Sequence, residues 1–488
     1  MTEASGLASV LASRLQALWG TTVEVTAVRP LPGGASRESW DVQARSAGDA
    51  PAGNAPAGNA PAGDHQRRLI LLRDAGGRAR HPDRNVAVEA AAMVAARAAG
   101  VPAPELYDYG EGALGHAYLL LERLDGETIP RRLLRDDAYA AARAGLAYRL
   151  GEVLARIHQV DPDSIPGLPP VDALGQVTEL YEAFAEPRPA LEIGLRWLAE
   201  HRPVPAADAL VHGDFRTGNL MVGEDGLRGV LDWELAHRGD PRQDLGWLCT
   251  KAWRFGSANP VGGFGTRADL MSGYAAGGGT PPDEETQRWW ELQGTVRWAL
   301  LCRRQADRYL SDAEPSIEFA VLGRRVCEQE YDILLALGYA APLTVTDPLE
   351  APGGIGDLGG VRDLGGFGDQ AGPPAPPHDR PAGPELLRAV REFLTAEVGI
   401  RDPRLRFHAR VAANALRIAE REAMLAAQHE RRHQARLAAL GCADDAGLCA
   451  AIRDGSLDHR FDDVIAAVRA ATVDKLTVAN PGHLALPG

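Results

Sequence analysis

Lysine is nearly absent from this sequence. Of its 52 basic residues only Lys251 and Lys475 are lysines, and the first 250 residues contain none. Wherever that half needs a permanent cation, it must use arginine. Long apolar runs are also missing, and a membrane-spanning helix needs about 18 or more consecutive apolar residues. The sequence therefore predicts a protein without a membrane-spanning segment.

Positive charge is in deficit as well, because the formal net charge is −14. This balance argues against a dedicated nucleic-acid-binding protein. Cysteine is scarce: the five cysteines are an odd number in a long chain, and none forms a closely spaced pair typical of metal ligands. Reduced thiols and a cytoplasmic location are the interpretation that this pattern favours.

Composition divides the chain into predicted parts. Residues 1–125 alternate strand-like and helical segments, and a Pro-Ala-Gly-Asn repeat at about 47–65 predicts a disordered insertion. Residues 126–340 are mainly helical. Residues 341–383 are dense in Gly and Pro, which predicts an interdomain linker. Residues 384–480 return to helical spacing and predict a small all-α domain.

The stretch LVHGDFRTGNLMV (210–222) places polar residues between two apolar runs, and LDWE follows at 231–234. Phosphoryl transfer needs a carboxylate that orients the attacking hydroxyl, and oxygen ligands that hold Mg²⁺ on the phosphates. Asp214 suits the first role, and Asn219 with Asp232 suits the second. A single Asp or Asn is more often a turn residue, but the combined spacing favours a catalytic loop.

HGDFRTGN and LDWE resemble the signature of the aminoglycoside phosphotransferase-like family, relatives of protein kinases that act on small molecules. The resemblance covers about residues 20–340 and implies an α+β, bilobal protein-kinase-like fold, with a small antiparallel β N-lobe and a mainly helical C-lobe. The small all-α domain would follow it. The resemblance implies Asp214 as catalytic base, Asn219 and Asp232 as Mg²⁺ ligands, ATP as the nucleotide, and a structural role for His212.

Other segments match the family in order. LPGGASRESWDV stands where the family has its Gly-rich nucleotide loop, so Gly33, Gly34 and Ser36 are implied to contact phosphate. Glu89 occupies the place of the kinase αC glutamate. YLLLERLDG resembles the interlobe hinge, whose backbone groups from Glu122 to Leu124 would hold the adenine.

One departure concerns the third strand, where kinases carry a lysine that pairs with the αC glutamate and touches the phosphates. Here the strand reads LILLRD, and Arg73 is the candidate replacement. An "LR" pair at this strand also resembles a subgroup that includes domains fused to acyl-CoA dehydrogenases in animals. Asp244, farther along, is interpreted as a helix-capping or loop-fixing residue. The open alternative is that Arg73 faces solvent and the site is degenerate.

The acceptor is predicted to be a hydroxyl of a small molecule, because only eleven residues separate Asp232 from Asp244 and no Ala-Pro-Glu follows. Acidic residues such as Glu186 and Asp283 could hold the ammonium groups of an aminoglycoside. The subgroup resemblance points instead to a hydroxy acid or hydroxyacyl compound. The alternatives are a catalytically silent, pseudokinase-like module that binds nucleotide or metabolite, and a scaffold that recruits a partner.

The C-terminal helices are similar to a module of unknown function that accompanies these phosphotransferases. No catalytic constellation is evident in them. His429 and His433 share one helix face, which could suit a metal, but a surface pair is favoured because no third ligand is apparent. The module is predicted to pack on the kinase-like part or to form a homodimer.

Overall fold

A computed structural model of the chain describes residues 3–31, 37–46, 65–74, 85–112, 114–348 and 403–488, with a few positions between 379 and 393. Gly33, Gly34 and Ser36 lie outside the described residues. The predicted insertion at about 47–65 also lies outside them apart from its last residue, and so does 349–378, the greater part of the predicted linker.

Two compact units make up the chain. The first comprises Met1–Val171 with Pro205–Gln287, and the second comprises Asp172–Val204 with Arg288–Gly488. The second unit thus joins helices from the region predicted as C-lobe to the C-terminal helices. The predicted domain boundaries remain predictions.

The strands of the first unit lie in three sheets. They are β1 (Val23–Leu31), β2 (Arg37–Ser46), β3 (His65–Asp74), β4 (Leu106–Gly110), β5 (Tyr118–Glu122), β6 (Ala209–Val211), β7 (Leu220–Gly223), β8 (Gly226–Val230) and β9 (His237–Gly239). Among the described residues, five strands form an antiparallel sheet in the order β1-β2-β3-β5-β4. Short pairs β6–β9 and β7–β8 follow it in the chain.

The helices of the first unit pack on these sheets. They are α1 (Glu3–Trp19), α2 (Val86–Ala98), α3 (Pro130–Arg135), α4 (Ala140–His158), α7 (Arg242–Cys249) and α8 (Arg267–Ala276). The five-stranded sheet buries side chains on both faces, since Leu69 and Leu71 join the core formed with α1. The side chain of Leu72 points to the other face of β3 and packs on the core that contains α2 and α4. Helices α4 and α8 meet very closely, because a Cβ on Gly273 would lie 1.9 Å from the Tyr148 carbonyl oxygen.

The second unit is helical. Its helices are α5 (Ala173–Phe184), α6 (Pro189–Glu200), most of α9 (Glu284–Leu310), α10 (Ile317–Leu322), α11 (Val326–Ala336), α12 (Pro403–Leu440), α13 (Asp445–Asp454) and α14 (Phe461–Ala479). One apolar core takes side chains from α6, α9 and α11 as well as from α12, α13 and α14. Ion pairs from Arg453 to Glu192 and from Arg196 to Asp458 add polar contacts between these helices.

A buried arginine lies at the centre of a charge network in the second unit. Arg188 donates to Glu330 at 3.0 Å, to Asp379 at 2.6 Å and to Glu186 at 2.5 Å. Asp379 also accepts from the Cys327 amide at 2.9 Å. Asp379, at the end of the predicted linker, is therefore buried with the folded core of this unit.

The interpretation of His429 and His433 as a surface pair is wrong. Both are buried on α12, at 3% and 4% exposure. His433 lies 3.0 Å from Asp445, and His429 lies 3.6 Å from Asp474. The helical period correctly predicts one shared face, but that face packs inside the unit. Over the described ranges, no group of three or more His, Cys, Asp or Glu side chains is placed to hold a metal ion.

None of the helices that the structure describes combines the length and the apolar character that crossing a bilayer requires.

Candidate active site

The segment His212–Asn219 forms a loop between β6 and β7, as the motif predicts. Pairing of Val211 with His237 fixes the start of the loop. Gly213 has φ +79°, and a Cβ there would lie 2.3 Å from the Leu235 carbonyl oxygen. Only glycine fits this position without displacing backbone.

The side chain of Asp244 fixes the first residues of the loop. Its carboxylate accepts hydrogen bonds from the amides of His212 at 2.8 Å and Gly213 at 3.0 Å. His158 lies 3.2 Å from the same carboxylate and 2.9 Å from the Tyr274 hydroxyl. Although full burial raises the pKa of Asp244, the hydrogen bond and charge of His158 and the contacts with His212 bring it below its ordinary value. The geometry agrees with the loop-fixing interpretation of Asp244.

The ring of His212 is fully buried, and both of its nitrogens form hydrogen bonds with backbone groups. Its Nδ1 accepts from the Asp214 amide at 3.1 Å, and its Nε2 lies 3.1 Å from the Leu231 carbonyl oxygen. Because Nδ1 accepts a hydrogen bond, the proton resides on Nε2, which donates to Leu231. Burial lowers the pKa of His212 and keeps the ring neutral.

Three side-chain donors converge on the carboxylate of Asp214. Asn219 Nδ2 donates at 2.6 Å, Trp247 Nε1 at 2.9 Å, and Arg216 Nε at 3.0 Å. Arg216 in turn lies over the ring of Trp253, 4.6 Å from its centroid. The carboxylate is thus held in one orientation by donors on three sides, while its side chain retains 14% exposure.

The two predicted metal ligands lie at the same place. Asn219 uses its amide nitrogen on Asp214, and its Oδ1 accepts no hydrogen bond from any described residue. Asp232 has φ +63°, which is uncommon for a residue other than glycine. Burial raises the pKa of Asp232 well above its ordinary value, and the carboxylates of Glu234 and Asp214 raise it further. The ionised form of Asp232 is therefore disfavoured in this site as it stands.

Glu89 pairs with Arg37 of β2, whereas a partner on β3, Arg73, was predicted. Arg37 Nη1 donates to Glu89 at 2.9 Å, and Nη2 makes a second bond to the other oxygen. In the register of β2 with β3, Arg37 lies opposite Asp74 and Glu38 opposite Arg73. Adjacent residues of a strand point to opposite faces, so the predicted pairing of Arg73 with Glu89 is wrong.

Arg73 instead donates to Glu38 at 2.6 Å and lies 5.9 Å from the ring centroid of Trp40. That face packs against α1. Arg37, in contrast, is close to Glu234 and Asp232. Although burial lowers the pKa of Arg37, Glu89 raises it above its ordinary value, with further contributions from Glu234 and Asp232. Any direct role of Arg73 in nucleotide binding remains a prediction.

The predicted hinge follows β5. Glu122 ends the strand, and its amide donates to the Glu105 carbonyl at 2.8 Å. Within the described chain, neither the N–H nor the C=O of Leu124 makes a hydrogen bond. The Leu124 side chain lies against Gly229 of β8, where an added Cβ would come within 2.3 Å of it. The unpaired N–H and C=O of Leu124 suit hydrogen bonds to the polar edge of a planar heterocyclic ring.

Sequence reasoning missed Arg37, Glu234, Arg216 and Trp247 as members of the site. Glu234 and Arg216 lie inside the quoted motifs and could have been weighed there. Arg37 also lies inside a quoted segment, LPGGASRESWDV, but its orientation depends on the strand register. Trp247 carries no local signal, because its contact with Asp214 spans 33 residues.

The first unit combines an antiparallel sheet with a loop between short strands that the buried Asp244 fixes. Asp214, Asn219 and Asp232 lie together at this loop. This arrangement is that of a protein-kinase-like phosphotransferase fold. The chain belongs to the phosphotransferase enzyme family, whose profile matches residues 28–279. The predicted α+β bilobal fold is confirmed. A domain of unknown function (DUF6285) matches residues 399–483.

Curated relatives match part of the chain. It is 29% identical over 211 residues to acyl-CoA dehydrogenase family member 10 of Mus musculus, across 40% of this chain and 19% of that protein. It is 34% identical over 167 residues to acyl-CoA dehydrogenase family member 11 of Gallus gallus, across 30% of this chain and 21% of that protein. The chain thus spans about a fifth of the length of these relatives.

Solved structures include two similar chains. An aminoglycoside phosphotransferase in ternary complex with AMP-PNP and hygromycin B is 14% identical with a TM-score of 0.45, covering 67% of this chain and 99% of that one. A macrolide 2'-phosphotransferase from Brachybacterium faecium is 19% identical with a TM-score of 0.40, covering 68% and 97%.

Proposed function

We propose that this protein is an ATP- and Mg²⁺-dependent kinase that phosphorylates a hydroxyl of a small molecule. The observation that carries the proposal is the Asp214 carboxylate, oriented by Asn219, Trp247 and Arg216. Asp214 would accept the proton of the acceptor hydroxyl. At the same time the hydroxyl oxygen would form a bond to the transferred phosphorus, and the bond from that phosphorus to the leaving nucleotide phosphate would break. A base held in this way needs little reorganisation at the moment of transfer.

The residues present fit a magnesium ion. The free Oδ1 of Asn219 and the carboxylate of Asp232 are the oxygen ligands that Mg²⁺ prefers. The crowding of Asp232 with Glu234 and Asp214 is unfavourable without an added cation. When bound, Mg²⁺ neutralises charge on the nucleotide phosphates.

The nucleotide would be bound at two places. The free N–H and C=O of Leu124 suit the adenine edge. Arg37, fixed by its bidentate pair with Glu89, suits the phosphates in place of the usual strand lysine. Phosphate contacts by Gly33, Gly34 and Ser36 remain part of the proposal on sequence grounds.

The acceptor is proposed to be a hydroxy acid or hydroxyacyl compound, in preference to an aminoglycoside. Two of the acidic side chains that could bind ammonium groups already form other ion pairs or hydrogen bonds. Glu186 binds Arg188 and Arg303, and Asp283 accepts the Thr286 amide at the start of α9. Beside Asp214 lies a cation, Arg216, which favours a neutral or anionic acceptor. The cytoplasmic location and the homodimer stay predictions that are independent of this chemistry.

The test is turnover by the full chain with ATP and Mg²⁺ against a panel of hydroxy acids, hydroxyacyl thioesters and aminoglycosides. Product mass should increase by one phosphoryl group for a member of the first two classes. Asp214→Asn should reduce kcat by about 100- to 10,000-fold while nucleotide binding persists. The matched control is Asp225→Asn, the same change at an exposed aspartate in the β7–β8 turn, which should leave kcat unchanged.

Three outcomes would contradict the proposal. Nucleotide binding without turnover of any acceptor would favour the silent-module alternative. Equal kcat in Asp214→Asn and wild type would remove the proposed base. Phosphorylation of aminoglycosides alone would overturn the acceptor class while leaving the reaction type in place.

A further inference from the structure

Arg216 follows Asp214 closely in the same loop and uses only part of its guanidinium there. Its Nε donates to both oxygens of the Asp214 carboxylate, at 3.0 Å and 3.2 Å. Its Nη1 donates to the Thr217 carbonyl oxygen at 3.3 Å, which is long for an N–H···O bond. Since a guanidinium carries five N–H groups, much of the donor capacity of Arg216 is left over.

The Nη2 of Arg216 is unpaired and has accessible surface. It donates to no atom of the residues that the structure describes. It is also absent from the side-chain polar atoms that are buried without a partner, so solvent reaches it. The Arg216 side chain as a whole is 26% exposed. A molecule bound to Nη2 would therefore lie directly beside the carboxylate of Asp214.

Two tryptophans fix the position of this guanidinium. Its central carbon lies 4.6 Å from the ring centroid of Trp253, and Trp253 packs in a T-shaped contact on Trp247, with the centroids 5.1 Å apart. Trp247 in turn donates to Asp214. The four side chains thus form a closed ring of contacts. Binding to a side chain that is already ordered in this way costs less conformational entropy.

Arg216 is placed for the acceptor and not for the nucleotide phosphates. It makes no hydrogen bond or ion pair with Asn219 or Asp232 within the described chain. Burial and neighbouring carboxylates raise the pKa of Asp232, and the arginine that opposes them most is Arg37. The metal and the phosphates would thus lie toward Arg37, whereas Arg216 lies beside the oxygens that would receive the hydroxyl proton.

The ion pair with Asp214 does not prevent Arg216 from binding a second carboxylate. Arg188 of the same chain donates to three carboxylates at once, those of Glu186, Glu330 and Asp379. Arg216 binds only one among the described residues. Hydrogen bonds between an arginine and a carboxylate are about twice as strong as those between neutral groups, so a carboxylate is the group that gains most from the free Nη2.

We propose that Nη2 of Arg216 binds a carboxylate of the acceptor, while Asp214 receives the proton from a hydroxyl of the same molecule. The inference rests on the proposed function and narrows its acceptor to a free hydroxy acid, as opposed to a thioester. The products are the phosphate ester of that acid and ADP. Because Nε on Asp214 and Nη2 on the carboxylate belong to one guanidinium, only a few carbons separate the two groups of the acceptor. Arg216 is thereby a specificity-determining residue.

The probes are 2-, 3- and 4-hydroxybutyrate, each compared with its own amide, which presents the same hydroxyl without the charge. The measurement is kcat/KM of the full chain with ATP and Mg²⁺. For the isomer that reacts fastest, we expect the acid to exceed the amide at least tenfold, because the amide forms only a neutral hydrogen bond with Arg216.

Arg216→Gln should reduce the ratio of acid to amide in kcat/KM to about one, mainly by raising KM for the acid. Loss of the contact with Asp214 would lower kcat for both substrates alike and would leave this ratio unchanged. Arg216→Lys keeps the charge and should retain part of the ratio. The matched control is Arg149→Gln, at a half-exposed arginine of α4 that binds Glu152, and it should show the wild-type ratio.

Calorimetry measures the same contact without turnover. The hydroxybutyrate that reacts fastest, or each of the three where none reacts, is titrated into the full chain with AMP-PNP and Mg²⁺. Arg216→Gln should weaken binding of the acid at least tenfold, while the affinity for AMP-PNP stays the same.

The outcomes separate this inference from the proposed function. Binding of an acid that depends on Arg216, without turnover, supports the carboxylate contact and overturns the kinase. Turnover of thioesters or aminoglycosides without preference for a free acid leaves the kinase in place and overturns the inference. Equal losses for acid and amide in Arg216→Gln, or an acid preference that survives it, also overturn the inference. Neither binding nor turnover of any hydroxy acid removes it as well.

Discussion

Arg37 on β2 and Glu89 on α2 form a buried ion pair with two hydrogen bonds. Both side chains are less than 10% exposed. Burial raises the pKa of Glu89, and the charge and hydrogen bonds of Arg37 only partly offset that effect. The pair connects the sheet to α2 in the way that a strand lysine does in kinases, but from the neighbouring strand.

We expect Arg37→Gln to lower the free energy of unfolding by about 3–5 kcal/mol, because it leaves the Glu89 carboxylate buried without its partner. Nucleotide affinity should fall as well, if Arg37 binds phosphate. Chemical denaturation and nucleotide titration measure the two effects separately. Adding Glu89→Gln to Arg37→Gln removes both charges and should restore part of the stability but none of the affinity.

Arg73→Gln is the control for this strand pair. Its partner Glu38 is 35% exposed, so the loss in stability should be smaller than that in Arg37→Gln. Nucleotide binding weakened more by Arg73→Gln than by Arg37→Gln would return the phosphate-binding role to Arg73.

Trp247→Phe should decrease kcat by about 10- to 100-fold, because a hydrogen bond to a charged group contributes about 1.5–3 kcal/mol. The change removes the Nε1 donor from Asp214 and retains most of the ring packing. Nucleotide affinity should stay the same. Trp290→Phe is the matched control, since the Nε1 of Trp290 is buried and has no partner among the described residues. If both variants turn over at the same rate, the indole does not orient Asp214.

His212 makes stability depend on pH. Burial lowers its pKa in the folded state below the ordinary value of 6.5, so below pH 6.5 the unfolded chain takes up a proton that the folded chain does not. Stability is therefore fully present above pH 6.5 and is lost as the pH falls toward the lower folded pKa. Each unit of pKa depression corresponds to about 1.4 kcal/mol.

The measurement is the free energy of unfolding at pH 7.5 and pH 5.5 for wild type and His212→Asn. The asparagine oxygen can still accept the Asp214 amide but does not titrate. We expect a smaller decrease in the variant than in wild type. Parallel decreases would show that His212 does not titrate differently on folding.

Asp379→Asn should destabilise the second unit by about 1–3 kcal/mol, because it removes a charged acceptor from Arg188 and the Cys327 amide. Arg188 and Lys475 overcome the effect of burial and lower the pKa of Asp379 to about 2. Its contribution is thus complete above its ordinary pKa of 3.8 and is lost only as the pH falls from there toward 2. Thermal unfolding at pH 7 measures it, with the exposed Asp462→Asn as control. Equal melting of the two variants would contradict the buried position of Asp379.

Local patterns predicted the parts of the site that lie close together in sequence. The spacing of Asp214 and Asn219 follows from one loop, and Glu89 follows from the first turn of a helix with a clear start at Asn85. The choice between Arg37 and Arg73 could not be made in this way, since one step of strand register exchanges the two faces. Nothing in the segments between the strands specifies that register.

Burial in the second unit was hidden for a similar reason. Helical spacing places His429 and His433 on one face, but whether that face meets water depends on α13 and α14, which lie later in the chain. Asp379 stands in a Gly/Pro-rich segment that predicts a linker. Its burial depends on Arg188, 191 residues earlier, and composition does not report a contact of that range.

The lack of lysine has a practical consequence for chemical labelling. Reagents that carry a reactive acyl group on a nucleotide mark kinases by acylating an amine beside the phosphates. Arg37 offers a guanidinium that stays protonated and is not acylated under such conditions. Of the two lysines, Lys475 is bound to Glu330 in the second unit, and Lys251 follows α7. With the nucleotide bound as proposed above, labelling by lysine acylation is therefore expected to miss the phosphate site of this protein.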